Sequence, residues 1–210
     1  MLKILIVDDH AVVRQGVKQI INGYSEKSTI GEAKNAEEML DLIRKSKWDL
    51  LILDIGLPGR SGLDVLGDIK KINAKLPVLA LSAYPEDQLA IRVLKAGASG
   101  YLSKESASEE LVSALKKVLA GGRYVSAALA ERLAMTLEDS LDKLPHETLS
   151  DREYQIMCML ASGKATTEIA KELLLSPTTI STYRARVFRK LHLKKRSELV
   201  QYALHHRLIS

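Results

Sequence analysis

One cysteine, Cys158, stands alone in 210 residues, so the chain cannot form an internal disulfide, and no set of ligands with zinc spacing surrounds it. A plain buried thiol is expected there. No stretch approaches the roughly 18 consecutive apolar residues of a membrane helix. The chain runs straight into Leu2–Val7 without a basic leader or cleavage site, and the expected location is cytoplasmic. The glycine cluster Gly59–Gly62 lacks the Gly-Lys-Ser/Thr ending of a phosphate-binding loop. Apolar residues are not in short supply. At 46% hydrophobic and 27% charged, the chain has a globular composition rather than that of a disordered one. Its length suits two domains of roughly 100 residues each.

Charge is unevenly spread. Residues 1–124 hold 18 Lys/Arg against 16 Asp/Glu, residues 125–148 hold 2 against 5, and residues 149–210 hold 11 against 5. A small basic tail suggests a polyanionic partner.

Within the first 124 residues, apolar runs recur at Leu2–Val7, Leu50–Leu53, Val78–Leu81 and Gly100–Leu102, with a weaker run at Ser28–Ala33. Short continuous runs read as strands buried on both faces. Between them lie segments with helical apolar spacing, such as Val13, Val17, Ile20 and Ile21. The alternation predicts an α/β domain with a five-stranded, parallel, doubly wound sheet of the flavodoxin-like kind. Residues 123–147 predict a linker helix and loop, with Leu129, Leu133, Leu137 and Leu141 recurring every fourth position until Pro145. Residues 148–210 read as an all-α domain of four helices, broken at Gly163 and restarted by Ser176-Pro177.

The first strand ends in Asp8-Asp9 and the third in Asp54. In a parallel sheet those ends open on one crevice, where ligands of this architecture bind. Carboxylates gathered there raise one another's pKa unless a cation offsets them, and an all-oxygen set favours Mg²⁺. Ser82 ends the fourth strand and Lys104 follows the fifth; a hydroxyl and an ammonium entering the same crevice suit the oxygens of a phosphoryl group on Asp54.

These residues carry a resemblance. Ile6-Val7-Asp8-Asp9-His10, Leu53-Asp54-Ile55-Gly56-Leu57-Pro58, Ala80-Leu81-Ser82-Ala83 and Gly97 to Lys104 are similar, in order, to segments of the response-regulator receiver domain. The resemblance implies Asp54 as phosphoacceptor, assisted by Ser82 and Lys104. It implies Asp9, Asp54 and the carbonyl of Gly56 as direct metal ligands, with Asp8 acting through water, and Ser82 and Tyr101 as the switch pair. A phosphatase of the haloacid-dehalogenase type would carry a second Asp two residues after the nucleophile, where this chain has Gly56. Gly56 and Tyr84 flank the path of a hydrolytic water, so a persistent phosphoaspartate is expected and no enzyme beyond that self-assisted chemistry. The five histidines form no ligand cluster in the sequence, and exposed or capping roles are expected of them.

Residues 149–206 resemble the LuxR-type helix-turn-helix of the NarL/FixJ group through Leu149-Ser150-Asp151-Arg152-Glu153, Gly163 to Ala170, Leu175 to Ile180 and Arg189-Lys190-Leu191. Ser181 and Tyr183 depart from the Lys and His that members of the group often carry. On the third helix of this tail Ile180, Val187 and Leu191 form an apolar stripe, which leaves Thr178, Ser181, Thr182, Ala185 and Arg189 on the opposite face. With Thr179, Arg184, Arg186 and Lys190 they make up the expected DNA-binding set, small residues entering the groove and cations meeting phosphates. A basic helical tail also suits a protein-docking module, which salt dependence would separate from DNA binding. The partners implied are a sensor histidine kinase, double-stranded promoter DNA and, on phosphorylation, a second copy of the chain.

Overall fold

The computed structural model describes residues 1–210 apart from 26, 58–61, 84–85, 128, 132–143, 207 and 210, and apart from the side chains of 64 and 86–88. Its contacts separate into two compact units, the first drawn from residues 1–126 and the second containing 127–210.

In the first unit the order is β1 Leu2–Val7, α1 Ala11–Tyr24, β2 Ser28–Ala33, α2 Ala36–Lys45 and β3 Leu50–Asp54, then α3 Gly62–Ile72, β4 Val78–Ser82, α4 Glu86–Lys95, β5 Gly100–Ser103 and α5 Ala107–Leu119. The strands pair in parallel in the order β2-β1-β3-β4-β5, the flavodoxin-like arrangement the sequence predicts. Every residue of β3 and β4 is buried, which is why their sequences are unbroken apolar runs up to the final Asp54 and Ser82. Ile4, Ile6, Leu50, Ile52, Leu79, Leu81 and Leu102 pack on Val17 and Ile21 of α1 and on Leu111 and Leu115 of α5. The alternate residues Leu5, Val7, Leu51, Leu53, Val78, Ala80 and Tyr101 are equally buried on the other face. β2 is an edge strand of half-buried residues, hence its weak signal.

Of the expected linker, Ala127 and residues 129–131 are helical and Leu129 is buried; Leu133, Leu137 and Leu141 lie outside the described residues. Pro145, expected in a loop, instead opens a 3-10 turn over Pro145–Thr148, because its fixed φ suits a first helical position.

The second unit continues with α6 Asp151–Ala161, α7 Thr166–Glu172, α8 Pro177–Lys190 and α9 Arg196–His205. α6 starts in a reciprocal cap: Ser150 Oγ accepts from the Glu153 amide, and Glu153 accepts from the Ser150 amide at 2.8 Å. All its residues from Arg152 to Ala161 are buried, Cys158 among them. Ile180 and Val187 of α8, and Leu191 at its C-cap, are buried as their spacing predicts. The Arg196 guanidinium donates to the carbonyls of Leu160 and Lys164 at 2.9 and 3.0 Å, tying the start of α9 to the end of α6 and the turn after it.

α6, α7 and α8 all end on a left-handed residue: Gly163 at φ 97°, Leu174 at φ 50° and His192 at φ 58°. Glycine adopts this at no steric cost, whereas Leu174, 68% exposed, has little packing to offset the strain. The left-handed form costs a leucine roughly 1–2 kcal/mol, and a glycine loses roughly 0.5–1 kcal/mol in backbone entropy. Leu174→Gly is therefore expected to raise stability in urea unfolding by about 0.5–1 kcal/mol; a lower stability would show that Leu174 makes contacts that outweigh the strain.

Candidate functional site

Register assembles the acidic site. β1 and β3 pair Val7 with Leu53, so the next residues, Asp8 and Asp54, stand side by side at the carboxyl ends of adjacent strands. β4 and β5 pair Ser82 with Ser103, and the Lys104 amide donates to the Ser82 carbonyl at 2.7 Å. This bond fixes where the Lys104 side chain begins. Its ammonium lies 2.8 Å from Asp54 Oδ2 and 2.8 Å from Asp8 Oδ2. Asp8 and Asp54 are almost wholly buried, at 1% and 2% exposure, and Ser82 and Tyr101 are fully buried.

The two carboxylates are not equally satisfied. Asp54 receives the Gly56 amide on Oδ1 at 2.8 Å and an aligned hydrogen bond from Lys104 on Oδ2. Asp8 Oδ1 receives the His10 amide at 2.8 Å. Asp8 Oδ2 is buried and has no hydrogen bond: the Lys104 ammonium is in ionic contact with it but out of line. Burial pushes the Asp54 carboxyl above its ordinary pKa, and the neighbouring Asp8 charge pushes the same way, more than Lys104 and Gly56 pull back. Burial alone would depress Lys104, but Asp54 and Asp8 hold its ammonium above the usual lysine value.

Asp9, Asp8, Asp54 and His10 offer ligand atoms within 4.8 Å of one another. His10 is the member the sequence reading set aside. It is exposed and stands at the N-cap of α1 as expected, yet its Nδ1 sits 3.0 Å from Asp9 Oδ1 and 3.2 Å from Asp8 Oδ1. The signal was its position directly after the two aspartates. Arg14 was missed too: its Nη1 donates to the Asp8 carbonyl at 2.7 Å, one turn into α1. A β-carbon at Gly56 would stand 3.3 Å from Asp54 Oδ1, so glycine leaves the flank of that carboxylate open. Tyr84 and Pro58 lie outside the described residues.

The second candidate surface is α8. Thr178, Ser181, Thr182, Arg184, Ala185, Arg186 and Arg189 are exposed, and Thr179 is half-buried. Ser181 and Thr182 hydroxyls donate to the Pro177 and Thr178 carbonyls at 2.9 and 3.1 Å, one turn back. Lys190 is engaged elsewhere: its ammonium is 2.6 Å from the buried Glu153 carboxylate and 3.3 Å from the Thr148 carbonyl. It ties α8 to the start of α6, a structural task that the helical wheel of α8 alone does not reveal.

A parallel sheet closing on an acidic crevice, followed by a helix-turn-helix with a basic exposed face, defines a signalling domain joined to a DNA-binding domain. Residues 4–116 match the response regulator receiver domain and residues 147–203 the bacterial regulatory proteins of the luxR family. The chain belongs to the response regulators, in the NarL/FixJ group. It is 36% identical to the response regulator UvrY of Escherichia coli K12, over 99% of this chain and 96% of that one. To the response regulator GacA of Pseudomonas aeruginosa it is 34% identical, over 100% and 98%. Among solved structures it resembles RcsB of Salmonella enterica serovar Typhimurium bound to promoter rprA, at 25% identity, 96% and 97% coverage and a TM-score of 0.66. Among the described residues no helix is long and apolar enough to cross a membrane.

The raised Asp54 pKa sets a stability prediction. A carboxylate raised in the fold holds its proton more tightly there than in the unfolded chain, so its ionisation destabilises the fold at neutral pH. Asp54→Asn is expected to stabilise the metal-free chain at pH 7. This advantage should narrow as pH falls through the raised Asp54 value toward about 4, where the unfolded group also takes a proton. Thermal unfolding against pH reads it, and a less stable Asp54→Asn at pH 7 would reverse the sign.

Proposed function

We propose that Asp54 accepts a phosphoryl group from a sensor histidine kinase with the aid of Mg²⁺, and that the phosphorylated chain binds promoter DNA as a dimer. The observation that carries the reading is the Lys104 ammonium 2.8 Å from both Asp8 and Asp54 in the crevice at the strand ends. An Asp54 oxygen attacks phosphorus in line. The bond from phosphorus to the donor nitrogen breaks, and the imidazole leaves with the electron pair. Lys104 meets the charge that gathers on the phosphoryl oxygens, and Ser82, at the neighbouring strand end, supplies a hydroxyl to one of them.

The acidic set fits a divalent cation. Asp8 Oδ2 is buried without a hydrogen bond, and Asp8 and Asp54 share one ammonium while Asp9 offers a third carboxylate beside them. Asp9, Asp54 and the Gly56 carbonyl would hold the ion directly and Asp8 through water, and the ion would supply positive charge to the phosphoryl oxygens. With Gly56 beside the acceptor, no acid or base stands two residues on to speed hydrolysis, so the chain acts as a phosphorylated switch and not as a phosphatase. The switch pair Ser82 and Tyr101 would report the phosphoryl group to the face around β4 and β5, shifting a two-state equilibrium.

Arg184, Arg186 and Arg189 are the exposed cations of α8 available to phosphates, with Thr178, Thr179, Ser181, Thr182 and Ala185 at the groove. The RcsB structure is described as bound to its promoter, which supports the same partner here. Acetyl phosphate with Mg²⁺ is expected to add one phosphoryl group to the chain, located on Asp54 by mass spectrometry and absent from Asp54→Asn. Equal incorporation by Asp54→Asn would remove the assignment. Three arginines per tail give a slope of log affinity against log salt of about −2.7 for one tail and about −5.4 for two. Doubling of the slope on phosphorylation is the expected signature of the dimer; an unchanged slope would rule out paired binding.

A further inference from the structure

α8 carries two aromatic residues that the DNA-binding set does not use, and each lies under an arginine that it does. The Arg186 guanidinium stands 5.8 Å from the Tyr183 ring centroid, three residues back, and the Arg184 guanidinium 5.5 Å from the Phe188 ring centroid, four residues on. These are the two spacings at which helix side chains meet. Phe188 is the only phenylalanine of the chain, and both rings are half-buried while both arginines are exposed. At 100° per residue, Arg184 and Arg186 fall on opposite flanks of the Thr178, Thr182 and Ala185 face. Among the described residues no carboxylate forms an ion pair with either, in contrast to Lys190, which Glu153 takes out of play. Beside Arg186 a shallow depression of about 220 Å³, lined by Thr178, Thr179, Thr182, Tyr183 and Arg186, leaves room for a phosphate group.

We propose that Tyr183 and Phe188 are positioning residues for DNA binding, their rings holding Arg186 and Arg184 ready for backbone phosphates on the two flanks of α8. The inference rests on the reading of α8 as the DNA-binding helix. A ring takes the face of the guanidinium and leaves the N–H donors at its edge free for a phosphate. An unstacked arginine gives up much of its rotamer freedom when it binds; one already stacked gives up less, and the saving appears as affinity. The rings carry no charge, so they act on affinity without adding a counterion.

That difference supplies the test, made with the full chain and a 30-base-pair duplex of arbitrary sequence, titrated by fluorescence anisotropy across salt concentrations. Arg186→Ala is expected to lower the magnitude of the salt slope by about 0.9. Tyr183→Leu should weaken binding about two- to fivefold at every salt concentration with the slope unchanged. Tyr183→Phe should bind like the parent chain, because it keeps the ring. In an Arg186→Ala background, Tyr183→Leu should cost nothing more, and Phe188→Leu should be silent in an Arg184→Ala background. Matched thermal unfolding of the variants guards against a folding defect. Parent-like binding by Tyr183→Leu, or an equal loss with and without Arg186, would overturn the positioning role while leaving the DNA reading intact. A salt slope unmoved by either arginine substitution would overturn both.

Discussion

Two carboxylates buried side by side are unstable company, and the first domain is organised around the cation that keeps them there. Asp8 and Asp54 meet because β1 and β3 pair in register, and Lys104 reaches both because its own amide is fastened to the end of β4. One ammonium does not satisfy two carboxylates fully. Asp54 remains raised in pKa and Asp8 keeps an oxygen without a hydrogen bond. The site therefore sits in a state that further positive charge would relieve.

The second domain handles charge in the opposite way. The buried Glu153 of α6 is satisfied twice, by the Ser150 amide and by Lys190, and its pKa is lowered because those partners outweigh its burial. That pairing fastens α8 to α6 and leaves the exposed positive charge of α8 to its arginines. Frame and contact surface are thus divided among neighbouring residues of a single helix.

Much of this was legible in the sequence. Strands buried on both faces show as apolar runs, so four of the five were plain, and the half-buried edge strand β2 was faint for the same reason. Asp54, Ser82 and Lys104 stood out because each follows an apolar run. Register was not legible: only the pairing of Val7 with Leu53 makes Asp8 and Asp54 neighbours. Nor was long-range pairing. Lys190 reads as one more basic residue on a basic helix until Glu153, 37 positions away, is found against it, and Arg14 reads as a surface residue until its bond to the Asp8 carbonyl is seen. The turn at Pro145 was misread as loop because a proline that ends one helix is equally suited to begin the next.

In the proposed function, charge at Asp54 and DNA affinity at α8 are two ends of one equilibrium. Such coupling is reciprocal for any ligand that binds reversibly. The most direct measurement is a titration of the full chain with beryllofluoride and Mg²⁺, as a reversible stand-in for the phosphoryl group, with and without a saturating duplex chosen by selection on the phosphorylated chain. The duplex is expected to raise the apparent affinity for beryllofluoride by the same factor by which saturating beryllofluoride tightens the duplex. An affinity for beryllofluoride that is indifferent to DNA would contradict it, and would leave the two domains as independent sites on one chain.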